Sequence, residues 1–141
     1  MPPTTVCEHI EMNNHPERSS TEGRRPIVKH VADCRDVYDL IDHNIRPRPG
    51  MWARAGSLQD LQSIFYGYWV ALQVHSVAEE FDFHSSDGPF ARWLKSEYGW
   101  STPFGWAGTI EHHLSDGETA LDAFFRLLDE FRSTRESHPA V

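Results

Sequence analysis

Cysteine is scarce in this chain: Cys7 and Cys34 are its only two. A single pair of thiols cannot staple a domain as disulfide-rich secreted scaffolds are stapled, and both are expected free and reduced. Two thiols also fall short of a structural zinc site, which needs two closely spaced ligand pairs. Cys7-x-His9 and His30-x3-Cys34 do not repeat as such pairs. No stretch approaches the roughly 18 consecutive apolar residues of a membrane span. Residues 1–10 have no apolar run of the kind a secretion signal carries, so a cytoplasmic protein is expected.

Positive charge is also short. Lys and Arg number 13 against 21 Asp and Glu, a formal net charge of −8. The imbalance is local, because residues 1–56 carry as many acids as bases and residues 57–141 carry the whole excess. A body this acidic repels phosphate backbones, which argues against nucleic-acid binding and suits a basic partner. Missing as well are a nucleophile elbow, a phosphate-binding glycine loop and a His-Glu-x-x-His helix. No catalytic residue, cofactor or metal ligand is assigned on this basis. Cys34 near His30 is the one candidate for an activated thiol, since a helix N-terminus lowers a thiol pKa.

What the chain does hold is aromatic mass: five Trp, eight Phe and four Tyr. These large apolar surfaces are enough to build a core. Residues 1–26 are rich in Pro, Thr, Asn, Glu, Ser and Arg without periodicity and predict a disordered tail. Residues 27–135 predict one helical domain, with 27–31 a short strand or lead-in, and residues 136–141 a second disordered end.

Within the domain, apolar residues recur at helical spacing. Asp33 is positioned to cap a first helix that carries Val37, Leu40 and Ile41 to about Asn44. Arg46-Pro47-Arg48-Pro49-Gly50 follows as a stiff cationic turn. Ser57 opens a long second helix, with Asp60 approximating a capping box. Its face is Leu58, Leu61, Phe65, Tyr68, Leu72 and His75, and its end is expected near Glu80. Gly67 inside it suggests the close approach of another element. Asp87-Gly88-Pro89 starts a third helix, with Phe90, Trp93, Leu94 and Tyr98 buried and Gly99 as the stop. Thr102-Pro103 starts a fourth with Trp106, Ile110 and Leu114. Ser115-x-x-Glu118 is a capping box for a last helix striped with Leu121, Phe124, Phe125, Leu128 and Phe131. Five helices and no alternating strand pattern predict an all-α bundle.

Nine histidines raise the question of a metal. His75 and Glu79 share a helix face, Glu111-His112-His113 cluster, and Glu80 and His84 stand four apart, but no pair of helices carries the Glu-x-x-His spacing of a carboxylate-bridged site. The aromatic runs Phe65-Tyr66-Gly67-Tyr68-Trp69 and Phe104-Gly105-Trp106 read as core before they read as a pocket.

Several motifs occur in an order that resembles a family of small stand-alone bacterial proteins. They are Arg48-Pro49-Gly50-Met51-Trp52, Ser57-Leu58-x-x-Leu61 with Phe65, Gly67-Tyr68, Phe90-Ala91-Arg92-Trp93-Leu94, Ser101 with Trp106, and the acidic run from Ala123 to Phe131. Members of that family are similar to immunity-like proteins encoded beside polymorphic toxins. The resemblance implies an inhibitor that neutralises a basic toxin domain. It directs attention to Arg48, Met51 and Trp52 on the turn and to Asp116, Glu118, Asp122, Asp129 and Glu130 around the last helix. The alternative is a small ligand- or metal-binding domain, or an enzyme, that uses an aromatic pocket with His75, His112 and His113.

Overall fold

A computed structural model describes residues 28–137. The tail expected over 1–26 lies outside the described residues, as do residues 138–141 of the expected C-terminal end. Residues 136 and 137 are instead the end of the last helix. Among the described residues the fold is all-α, with five α-helices and no strand. None of the helices is long and apolar enough to cross a membrane.

Helix α1, Val37–Leu40, runs straight into a π-helical segment, Ile41–Ile45. There the Arg46 amide donates to the Ile41 carbonyl at 2.9 Å, the i→i+5 bond of a π turn. The expected stripe is buried, with Val37, Leu40 and Ile41 in the core. The expected cap is not the one observed. Asp36 caps α1 by accepting from the Asp39 amide at 2.8 Å. Asp33 ends a separate 3₁₀ turn, Val31–Asp33, whose first amide at Ala32 is taken by the His30 ring at 3.1 Å.

Helix α2, Leu58–Val74, starts where Ser57 accepts the Gln59 amide. Leu58, Leu61, Phe65 and Leu72 are buried along it. It stops well before Glu80, because Ser76 turns left-handed at φ 52°. The Ser76 amide donates to Gln73 and the Val77 amide to Leu72, a Schellman end built without glycine. His75, expected to close the buried stripe, is therefore an exposed C-cap. The chain then runs without helix to residue 88 and buries Phe81, Asp82 and Phe83 on its way. Gly67 does not make room for a neighbour: it faces solvent, and a methyl group placed on it would meet nothing within 4 Å.

Helix α3, Pro89–Tyr98, ends at Gly99 with φ 74°, as its sequence predicts. Helix α4, Trp106–His112, begins later than Thr102-Pro103. Gly105, at φ 105°, makes the entry turn, and the Gln62 side chain accepts the Ala107 amide at 3.0 Å. Leu114 falls beyond α4 and is exposed.

Helix α5, Ala120–Ser137, is capped by the Thr119 hydroxyl, which accepts the Asp122 amide at 3.1 Å. Ser115 and Glu118 form a turn before it, in which the Glu118 amide donates to the Ser115 carbonyl at 3.0 Å and the Glu118 carboxylate faces back onto Ser115. The buried face of α5 is Ala123, Phe124, Leu127, Leu128 and Phe131, while Leu121 and Phe125 are half-buried at its border.

The core centres on Trp106, which is fully buried. The Phe65, Phe83, Phe90 and Phe124 rings surround it at centroid distances of 6.0, 6.4, 5.8 and 5.1 Å. Its indole N–H donates to the Phe83 carbonyl, so the one polar atom of this ring is satisfied. Burying each such side chain contributes about 2 kcal/mol.

Candidate functional site

The left-handed turn at Gly99 throws the chain back across the end of α3, so that Trp100 lies on Tyr98. From the other side His113, the C-cap of α4, lies on Trp100. The result is a three-ring stack. The Tyr98 and Trp100 centroids are 4.7 Å apart and inclined by 25°, and those of Trp100 and His113 are 4.3 Å apart and inclined by 12°. The His113 Nδ1 lies 2.9 Å from the Thr109 carbonyl, which fixes the ring plane. Beside the stack, Phe104 stands 88% exposed on the loop that leads into α4. Trp100, Phe104, Gly108, Thr109, His112 and His113 line a cleft of about 570 Å³.

Carboxylates border the other side of the stack. Tyr98, Trp100 and His113 share a second cleft of about 510 Å³ with Asp116, Glu118 and Arg126. Arg126 holds Glu118 through two hydrogen bonds at 2.9 and 3.2 Å, and those bonds keep the Glu118 carboxyl below its ordinary range. Arg126 also reaches Glu130 at 3.5 Å. The Tyr98 hydroxyl donates to Glu130, and that bond, with burial second, pushes the phenol upward. Asp116 is exposed at the rim.

Three of the five acidic residues expected to bind a partner, Asp116, Glu118 and Glu130, therefore gather on one aromatic wall. Asp122 is exposed on the first turn of α5. Asp129 belongs to a second surface, where Arg46 binds it at 2.6 Å while stacking on the Phe125 ring. The cationic turn continues from Arg46. Arg48 is exposed, Met51 is 73% exposed at the end of a 3₁₀ turn, and Trp52 is half-buried against the core. None of these three lines the clefts around the stack.

The sequence did not single out Trp100 or Arg126, and it placed Tyr98 in the core, where it is 37% exposed. Beyond the carboxylates and His112 and His113, the signal it carried was Phe104, an aromatic residue between Pro103 and Gly105 that belongs to no helical stripe. The two aromatic runs divide: Phe65 and Trp106 are core, while Tyr66, at 63% exposure, and Phe104 are surface.

The titratable groups weighed for chemistry serve other purposes. Glu79 accepts the Val37 amide at 3.0 Å and the Tyr68 hydroxyl at 2.7 Å, capping α1 from a distant segment. Glu111 does the same for α2, accepting the Leu58 amide at 3.0 Å and the Gln59 side chain at 3.2 Å. The His84 ring packs edge-on against Trp69 and Phe81. His75 does not line the cleft that holds His112 and His113, so the three do not form one pocket. The His30 Nδ1 accepts the Ala32 amide at 3.1 Å, while the Cys34 thiol donates to the His30 carbonyl at 3.8 Å and accepts from the Asn44 side chain at 3.4 Å. Among the described residues no group of three or more His, Cys, Asp or Glu stands close enough to hold a metal ion.

A third cleft, of about 470 Å³, lies between α1 and the end of α5. Buried Asp82 accepts from the Tyr38 hydroxyl at 2.6 Å and is paired with Arg135. Arg132 lies over the Tyr38 ring and binds Asp42 at 2.9 Å. These charges are satisfied by one another, which marks a structural tie. No protein-family model, curated protein or solved structure matches this chain.

Proposed function

We propose that this chain is a cytoplasmic immunity-type inhibitor, a protein-binding module that neutralises a basic bacterial toxin domain. The observation that carries the reading is the stack Tyr98–Trp100–His113, in which Tyr98 and His113 are exposed and Trp100 is half-buried against the core, with Phe104 on one side and Asp116, Glu118 and Glu130 on the other. Tyr and Trp are the side chains that most often dominate interface energetics, because they bury much area at little entropic cost. A carboxylate rim adds on-rate and selectivity towards a cationic partner. The motif order that resembles the immunity-like family supports the same reading.

Arg126 sits within that rim and lowers its net charge while holding Glu118 and Glu130 in place. Charge alone is then a weak anchor, and the aromatic residues are assigned the larger share of binding energy. Binding measured against a purified toxin domain tests the division. Trp100→Ala weakens affinity most, and charge reversal at Asp116 mainly slows association. Equal affinity of wild type and the Trp100→Ala variant rejects the site.

One observation favours a second reading. The 570 Å³ cleft has the size of a small-molecule site, and His112 and His113 supply its polar edge. A reproducible thermal shift with a metabolite, abolished by Phe104→Ala, would support that reading over the first.

A further inference from the structure

The cleft beside the stack, lined by Trp100, Phe104, Thr109, His112 and His113, holds about 570 Å³, enough for a small molecule. No Asp, Glu, Lys or Arg lines it. A charged ligand finds no counter-charge there and loses its hydration on entering. The carboxylates Asp116 and Glu118 line the other cleft, across the stack.

The polar groups of the wall are not equivalent. The Thr109 hydroxyl lies 3.2 Å from the Ser101 carbonyl and 3.1 Å from the Gly105 carbonyl, and these bonds occupy its one proton. The Ser101 and His112 side chains are exposed, and no hydrogen bond fixes either among the described residues. His113 differs from all three. Its Nδ1 lies 2.9 Å from the Thr109 carbonyl, and a carbonyl only accepts, so Nδ1 carries a proton. The neutral imidazole then presents Nε2, at the other end of the ring, as an acceptor. Among the described residues Nε2 has no hydrogen-bond partner. The ring is also held in place by its face, which lies on Trp100 at 4.3 Å. The cleft therefore holds one oriented, unspent acceptor.

Phe104 supplies a flat apolar surface. Both faces of Trp100 are taken, by Tyr98 and His113. Phe104 is 88% exposed and makes no ring contact among the described residues, so its faces are open to another ring. We infer that this cleft takes a small, uncharged aromatic molecule with one N–H or O–H donor, of the indole or phenol class. Its ring packs against Phe104 and its donor bonds His113 Nε2. The inference rests on the small-molecule reading of this cleft given above and names its ligand class; the inhibitor reading does not depend on it.

NMR titration of the full chain at pH 8 with indole and with 1-methylindole tests it, because the second probe keeps the ring and lacks the donor. Indole is expected to bind about fivefold more tightly, the net worth of one neutral hydrogen bond. His113→Phe keeps a ring beside Trp100 without the acceptor and is expected to abolish that preference. Phe104→Ala, at an exposed loop position that leaves the core untouched, is expected to weaken both probes alike. No binding of either probe at millimolar concentration overturns the inference. So does equal affinity for the two in the wild-type chain, or a preference that survives His113→Phe. A metabolite of another class that gives a thermal shift abolished by Phe104→Ala, with neither probe bound, overturns the ligand class and leaves the small-molecule reading standing.

Discussion

The imidazole of His113 lies almost flat on the indole of Trp100, their centroids 4.3 Å apart and their planes inclined by 12°. Tyr98 covers the other face of the same indole. Both faces of Trp100 are occupied by side chains of the protein itself, so a partner meets the edges of a rigid stack and little entropy is lost in ordering it. Trp100→Ala is expected to lose about 2 kcal/mol of partner binding, roughly thirtyfold in Kd. Titration calorimetry against the toxin domain checks this, with unfolding midpoints measured alongside to separate binding from stability.

Alkaline pH is expected to destabilise the fold through Tyr38. Burial first, and then the hydrogen bond to Asp82, push its phenol far above the ordinary 10.0. The unfolded chain ionises this group near 10 while the folded chain keeps it neutral. The stabilisation is therefore fully present below pH 10 and is lost as pH rises beyond it. Tyr68 is raised in the same direction by burial and by its bond to Glu79. Tyr38→Phe is expected to cost about 1 kcal/mol at neutral pH and to flatten the alkaline decline. Urea midpoints measured from neutral to strongly alkaline pH decide it.

At the acid end the sign reverses. The Arg35 amide and then the Lys29 ammonium hold the Asp39 carboxyl down at about 2, against an ordinary 3.8. Its contribution is present above pH 3.8 and disappears as pH falls through 2. Asp39→Asn is expected to remove that part of the acid dependence, as read from the acid-unfolding midpoint.

Backbone substitutions give opposite signs at three positions. Gly105→Ala introduces a methyl at φ 105° that meets the Gln62 amide at 2.4–2.8 Å, the group that caps α4. It is expected to destabilise by about 2 kcal/mol. Ser76→Gly relieves a left-handed residue at φ 52° and is expected to stabilise by about 1 kcal/mol. Gly67→Ala, in an open helical position, is expected to gain about 1 kcal/mol. Denaturant melts of the three variants check all three signs.

Helices were legible where one apolar stripe runs unbroken, as along Leu58, Leu61 and Phe65 in α2 or Phe124, Leu128 and Phe131 in α5. Ends were legible where a glycine makes the turn, as at Gly99. The end of α2 was not, because a serine adopts the left-handed conformation there and serine carries no such mark in the sequence. Asp33 and Ser115 have the right residue type for caps, yet Asp36 and Thr119 take those positions. Glu79 and Glu111 cap helices from far along the chain, a role that local spacing cannot reveal. The acidic part of the candidate site was legible from the clustering of carboxylates near α5. Its aromatic part was not, since Trp100 and His113 come from separate segments that meet only once Gly99 has turned the chain.

The most direct measurement is capture of partners at low salt by the tagged full chain from its native organism, followed by affinity as a function of salt. The reading predicts one basic toxin domain at near one-to-one ratio. Its binding should weaken as salt rises and fall sharply with Trp100→Ala. Recovery of no partner from cells that express the neighbouring genes, or binding indifferent to both salt and Trp100→Ala, would contradict it.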